Sequence, residues 1–132
     1  MGLLGHAAGA EPHDRTESRL IVFEVAAGEL VDELNRQAAE AGITDVAIVS
    51  LIGAADSFTV SAMPEGDALK DTITKYDLPG EMTGTGEIRN GCVHLPVVMG
   101  VEGDCAIAGH LHEAVIGTRF ARASRAYGIP AR

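Results

Sequence analysis

Two histidines that flank a single leucine are the residues of this sequence best suited to chemistry. His110 and His112 stand in "GHLHEAV", residues 109–115, within a run that favours a β-strand. Side chains two residues apart on a strand point to the same face, so both imidazoles would share one side of a sheet. Neutral imidazole is a ligand that zinc and other divalent transition metals accept.

A third histidine comes from the preceding strand-like run, "CVHLPVVMGV". If this run pairs antiparallel with "CAIAGHLHEAVI" around a turn at Glu102-Gly103, His94 falls opposite His112 to within about one residue. Three histidines on adjacent strands would leave one coordination position for water. The sequence therefore predicts metal ligands at His94, His110 and His112. The alternative left open is that they are surface histidines, or histidines bonded to nearby carbonyl groups.

An acid or base for catalysis is harder to assign. Glu113 would point to the opposite face of a regular strand, so Glu81 is the more interesting candidate, although its placement does not follow from the sequence. Other catalytic motifs are missing: "GTGEIRNG" lacks the dinucleotide-binding spacing, and no Gly-x-Ser-x-Gly elbow occurs.

Length and composition predict one globular domain. The chain has 132 residues, 46% hydrophobic and 22% charged. We expect a flexible leader at residues 1–18, a single domain at 19–128 and a tail at 129–132. No run is long enough for a membrane span and no signal peptide is evident, so a cytoplasmic protein is expected. Cys92 and Cys105 lie in apolar runs and are expected to be buried free thiols.

The net charge of −9 opposes direct association with DNA or an acidic membrane. The exception is "TRFARASRAYGIPAR", which carries Arg119, Arg122, Arg125 and Arg132 and no acid. A solvated, frayed tail is the favoured interpretation of this basic segment, and a polyanion site is the alternative.

Hydrophobic patterning favours an α+β fold. Residues 19–26 predict a strand, and 28–42 predict a helix with Gly28 as cap and Gly42 as terminator. Residues 44–54 predict a strand buried on both faces, with "DSFTVSAM" pairing beside it. The polar stretch 64–81 could hold a short edge strand, and three more strand-like runs follow, two of them joined at Asn90-Gly91. We therefore expect an antiparallel or mixed sheet of about five to seven strands with one main helix packed on it. A second protomer would cover the rest of the sheet.

Three segments, taken in their order along the chain, resemble the plants-and-prokaryotes-conserved (PPC) domain. They are "FEVAAGELVDELNRQAAEAGITDVAIVSLIGA", "GEMTGTGEIRNG" and "VHLPVVMGVEGDCAIAGHLHEAVIGT", and the resemblance covers about residues 19–120. It implies an α+β fold, a homotrimer, and a metal unit made from a His-x-His strand and a Gly-Gly-His-Leu strand.

The metal unit carries over only in part. His94 matches the first histidine of His-x-His and His110 that of Gly-Gly-His-Leu. Pro96 stands where the second histidine is expected, and Ala108 replaces the first glycine. His112 is an additional histidine on the shared face; either it substitutes as a ligand, or the metal site is lost. Pro96 lacks a backbone donor and suits an edge or bulged position.

The resemblance implies a bacterial oligomerisation and interaction module, with regulatory work near DNA through protein partners. Plant members are similar in this domain but add an Arg-Gly-Arg-Pro AT-hook, which this sequence lacks. A DNA-binding role therefore rests on family analogy alone. The alternative is a metal-dependent lyase or hydrolase acting on a small oxygenated acid, since the fold is similar to that of acetolactate decarboxylase. An enzyme is the less favoured of the two interpretations.

Overall fold

The computed structural model describes residues 19–118 and 123–131. The leader expected at 1–18 lies outside these residues, as do Arg119, Arg122 and Arg132 of the basic segment. The elements in chain order are β1 (Ile21–Val25), β2 (Gly28–Glu29), α1 (Leu30–Glu40), β3 (Val46–Ala55), β4 (Ser57–Ala62), β5 (Thr72–Tyr76), β6 (Gly80–Arg89), β7 (Cys92–His94), β8 (Pro96–Val101), β9 (Cys105–Ile116) and β10 (Ser124–Pro130).

The strands form one sheet in which neighbours run antiparallel, in the order β1-β10-β3-β6-β8-β9-β4-β5. The short strand β2 pairs with β9, and β7 pairs with β6. The α+β class is confirmed, but the estimate of five to seven strands is wrong, because the described residues form ten. Two of them are too short to predict, and "CVHLPVVMGV" is divided at Leu95 into β7 and β8.

The last strand was the least expected. Strand β10 lies between β1 and β3, and it includes Arg125 of the segment predicted to be a solvated tail. Ser124 and Ala126 are fully buried, and Arg125 forms an ion pair with Glu24 on β1. That part of the prediction is wrong because the arginines mask an alternating pattern of small residues, which suits a strand. Strand β10 also crosses the domain boundary placed after residue 128.

Helix α1 packs against β9, β1 and β7. Its buried residues are Leu30, Leu34 and Ala38, the stripe that the sequence pattern predicts. The N-cap is Glu29 rather than Gly28, because the Glu29 carboxylate reaches the free N–H groups of the first turn. At the other end Gly42, with φ of +70°, terminates the helix as expected. The Gly42 N–H donates to the Ala39 carbonyl and the Ile43 N–H to that of Ala38, which is a Schellman arrangement.

The Glu29 carboxylate joins the helix to the sheet. Its Oε2 accepts hydrogen bonds from the N–H groups of Val31 (3.0 Å) and Ala114 (2.9 Å), and its Oε1 accepts one from Asp32 (2.9 Å).

We expect Glu29→Ala to lower the free energy of unfolding by about 2 kcal/mol, because the helix cap and the hydrogen bond to strand β9 are lost together. Urea denaturation measures this, with Glu40→Ala at the exposed end of the helix as the control. Equal effects of the two substitutions would contradict this role.

The described residues, 19–118 and 123–131, cover only one face of the sheet, and this corrects the expectation for β3. Strand β3 alternates between buried and exposed positions instead of being buried throughout: Leu51 is buried whereas Ile52 is 58% exposed. A single helix covers one face of such a sheet and leaves the other open.

The expected pairing of β4 with β3 is wrong, because β4 pairs with β9 and β5. Asp56 alone separates β3 from β4, and a hairpin loop needs at least about two residues.

The cysteines are exposed, not buried as predicted. Cys92 follows the Asn90-Gly91 turn and Cys105 follows the turn at 102–104, and strand ends beside turns meet solvent even within apolar runs. No helix among residues 19–118 and 123–131 has the length and apolar character needed to cross a membrane.

Candidate metal-binding histidine cluster

Two tight turns set the register of the strands that carry the histidines, β7 against β6 and β9 against β8. The β6–β7 turn has Asn90 and Gly91 at φ of 51° and 79°, the left-handed pair that a two-residue hairpin requires. The β8–β9 turn contains Gly103 and Asp104, also at positive φ. Beyond it Val101 pairs with Cys105 and Pro96 with His110. Both hairpins confirm the sequence prediction.

His94 does not continue the β8–β9 ladder in which it was expected to face His112. The chain is interrupted at Leu95, whose carbonyl accepts a hydrogen bond from the Leu111 N–H (2.9 Å). His94 belongs to β7 and pairs with Glu87 on β6. Pro96 begins β8, a position that tolerates its missing N–H, although β8 is an interior strand and not the edge or bulged position expected.

Strand β7 is held between α1 and β6. Asn35 on the helix accepts a hydrogen bond from the Val93 N–H at its side-chain oxygen (3.1 Å). On the other side, a Cβ placed on Gly86 of β6 would lie 2.2 Å from the His94 carbonyl oxygen, which is closer than atoms can approach. Glycine at position 86 therefore permits the close approach that fixes the backbone of His94.

A β-bulge places His112. Thr59 on β4 pairs with Glu113 and Val60 with Leu111, so His112 has no partner residue on β4. Leu111 and Ala114 are both buried, which directs the two residues between them away from the core. The expectation that Glu113 lies on the opposite face from His112 assumed a regular strand, and the bulge removes that regularity.

The three imidazoles form a contiguous row, which we call the histidine cluster (His94, His110 and His112). The His94 and His110 ring centroids are 4.9 Å apart and tilted by 44°, and those of His110 and His112 are also 4.9 Å apart, edge to face at 81°. The Nε2 atom of His112 is hydrogen-bonded to the Ser61 hydroxyl at 2.8 Å. Within the part of the chain that the structure describes, no three metal-ligating side chains are already arranged around one point.

The central histidine favours its neutral form. Burial lowers the pKa of His110 below the ordinary value of 6.5, and the neighbouring His112 and His94 lower it further, against a smaller opposing influence from Asp71. A neutral imidazole is the form that binds a metal ion. The environment of His110 is thus compatible with a ligand role.

We expect an NMR titration of the His110 ring to have its midpoint below pH 6.5. Because the unfolded chain would take up this proton at a higher pH than the folded one, His110 should make the free energy of unfolding fall as the pH drops through 6.5. His112→Asn should raise the pKa of His110 by removing one neighbouring charge. A midpoint above 6.5 in the unsubstituted protein would contradict this electrostatic description.

The candidate acid Glu81 is not brought to the cluster. Glu81 lies on β6, where it pairs with Gly100 and Ala54. It is six residues from Glu87 on the same strand, which is a distance of about 20 Å. Glu87 is the acid beside a histidine, with its Oε2 4.0 Å from the Nδ1 of His94. Glu87, Asp71 and Ser61 are site residues that were not predicted from the sequence. Counting outward from the Asn90-Gly91 turn would have paired Glu87 with His94, whereas no local signal leads to Asp71 or Ser61.

Solved structures share this fold. The chain superposes on a plant- and prokaryote-conserved (PPC) protein of Pyrococcus horikoshii with a TM-score of 0.72 and 19% identity, over 86% of this chain and 80% of that one. A metal-containing protein from Archaeoglobus fulgidus gives 0.71 and 21%, over 85% and 79%. A "putative DNA-binding protein" from Bacteroides thetaiotaomicron gives 0.68 and 21%, over 86% and 82%.

At these identities the likeness to solved structures is one of fold. Comparison with curated protein sequences gives no significant match. The model of the Plants and Prokaryotes Conserved (PCC) domain matches residues 13–121, which is most of the chain and includes the histidine cluster. The protein therefore belongs to the Plants and Prokaryotes Conserved domain family, the PPC family that its sequence resembles.

Proposed function

We propose that this protein is a self-associating interaction module that assists regulation at DNA through protein partners and holds a divalent transition metal, such as zinc, at His94, His110 and His112. The observation that carries the proposal is the sheet face that residues 19–118 and 123–131 leave uncovered, where an apolar surface and the histidine cluster lie side by side.

The apolar part of this face is a row of paired residues on four adjacent strands. Ile52 pairs with Thr83, Thr83 with Val98, and Val98 with Ala108, so all four lie on one side of the sheet. Ile52 is 58% and Val98 42% exposed. We call this set the apolar row. An exposed sheet face of this kind favours burial against another copy of the chain, and the family resemblance makes a homotrimer the expected assembly.

The metal proposal is supported by the chemistry of the cluster. It offers three imidazoles within one row, and the lowered pKa of His110, caused first by burial, favours the neutral form of this ring. The Archaeoglobus structure with the same fold is that of a metal-containing protein. Gathering the rings around one ion would need the His94 and His110 side chains to rotate, while the His112 ring keeps its hydrogen bond to Ser61.

The regulatory proposal takes its connection to DNA from a protein of the same fold, since the Bacteroides structure is called that of a "putative DNA-binding protein". This chain carries a net charge of −9, which repels a phosphate backbone, so partner proteins would provide the contact. The purified chain is expected to leave duplex DNA unshifted in a gel at physiological salt. Retention of DNA by the chain alone would contradict a partner-mediated role.

Light scattering during size-exclusion chromatography tests self-association. We expect a mass of about three times the 13.7 kDa chain. Ile52→Glu, which places a charge in the apolar row, should shift the protein to the monomer. Leu69→Glu is the matched control, because Leu69 is almost fully exposed in the connection between β4 and β5 and lies outside the row. A monomeric unsubstituted protein would overturn the proposal.

The enzyme alternative, a metal-dependent lyase or hydrolase, is not proposed. It assigned the acid or base role to Glu81, which lies about 20 Å from Glu87 and from the adjoining His94.

A further inference from the structure

We infer that Ser61 is a positioning residue of the histidine cluster: its hydroxyl holds the Nε2 atom of His112 and thereby makes Nδ1 the nitrogen that His112 presents to a ligand. The inference deepens the metal site proposed above and rests on it for its function, but the hydrogen bond itself can be tested without metal.

The bulge leaves His112 without a partner on β4, so the strand ladder alone does not fix its ring. Ser61 provides the missing restraint. It pairs with His110 on β9, and its Oγ lies 2.8 Å from Nε2 of His112, two residues farther along that strand. The hydrogen bond therefore draws the His112 ring back toward His110, which agrees with their centroid separation of 4.9 Å.

Ser61 is itself an unusual residue for this face. It is only 3% exposed, although the described part of the chain leaves the sheet face around it uncovered. No buried side-chain oxygen or nitrogen among the described residues lacks a hydrogen-bond partner. The partner of the Ser61 hydroxyl is the His112 ring, so each group restricts the other.

A ligand histidine has one nitrogen for the metal and one N–H for a supporting acceptor. A serine hydroxyl can accept such a hydrogen bond. We therefore assign the Nε2–H of neutral His112 as donor to Ser61 Oγ, with the lone pair on Nδ1. No proton is transferred in this arrangement; the hydroxyl selects a tautomer and a ring orientation.

The test uses the full chain without metal first. Ring nitrogen chemical shifts of ¹⁵N-histidine-labelled protein report the tautomer of His112. We expect the unsubstituted protein and Ser61→Thr to show the Nε2–H form, and Ser61→Ala to show a mixture. Thr59→Ala is the matched control, because Thr59 lies two residues away on the same strand and should leave the His112 shifts unchanged. An Nδ1–H form in the unsubstituted protein, or unchanged shifts in Ser61→Ala, would overturn the inference.

Zinc titration then measures the consequence for binding. Loss of a residue that hydrogen-bonds a metal ligand weakens metal binding by about 10- to 100-fold. This is the effect expected of Ser61→Ala. Ser61→Thr should recover most of the affinity, and an unchanged affinity in Ser61→Ala would count against Ser61. If the unsubstituted protein binds no zinc, the metal proposal fails, whereas the tautomer measurement still decides whether Ser61 positions His112.

Discussion

Replacing His110 and His112 together by alanine is expected to eliminate metal binding. The unsubstituted protein, purified untagged and without chelator, should carry close to one zinc or other divalent transition metal ion per chain. The double variant leaves His94 as the single imidazole of the cluster, and one ligand does not retain an ion against water. We expect affinity to fall by more than about 100-fold, which exceeds the cost of losing an outer hydrogen-bond partner. Elemental analysis and zinc titration measure the two quantities.

The chain provides a matched control for this experiment. Of its five histidines, His6 and His13 are not among the three proposed ligands and belong to the part of the chain that the structure does not describe. A His6→Ala, His13→Ala double variant removes the same number of imidazoles and should keep its metal. Absence of metal from the unsubstituted protein after loading with zinc or iron(II) would refute the metal site and leave self-association as the property to pursue.

Replacing Gly86 by alanine is expected to be the most destabilising single methyl addition near the cluster. The new Cβ would lie 2.2 Å from the His94 carbonyl oxygen and 3.0 Å from the Leu95 side chain. Both neighbours belong to a segment enclosed by β6 and α1, so β7 would have to separate from β6. We expect the free energy of unfolding to fall by about 3 kcal/mol or more. Because His94 moves with β7, zinc affinity should fall as well.

Chemical denaturation tests this prediction, with Gly66→Ala as the control. A Cβ on Gly66 would meet no atom within 4 Å, so this substitution should change stability by less than about 0.5 kcal/mol. Equal stability of the two variants would show that β7 can shift without cost, and the close packing of β6 against His94 would then not be a constraint.

Prediction from sequence succeeded where local pattern is decisive. The spacing of Leu30, Leu34 and Ala38 identified the buried stripe of α1, because a helix repeats every 3.6 residues whatever lies beside it. Asn90-Gly91 identified a hairpin, because few residues adopt two consecutive positive φ angles. The N-cap was misplaced by one residue, since Glu29 caps through contacts that include Ala114, distant in sequence.

Prediction failed where a strand's partner or irregularity matters. Ser124–Pro130 forms an interior strand whose burial depends on β1 and β3 on either side. The arginine content of the surrounding segment suggested solvent, but a strand can place Arg125 outward beside Glu24 while Ala126 is buried. The same limitation applies to the cysteines, whose exposure depends on their positions beside turns.

The family, the α+β class, helix α1 and the two hairpins could all be predicted from the sequence. These follow from periodicity, turn chemistry and motif order, all of which act over short distances along the chain. How the histidines meet depends instead on long-range packing. The interruption at Leu95 places His94 next to Glu87, and the bulge brings His112 to Ser61. Both are departures from a regular ladder, which arise where three strands must pack together and which no single segment encodes.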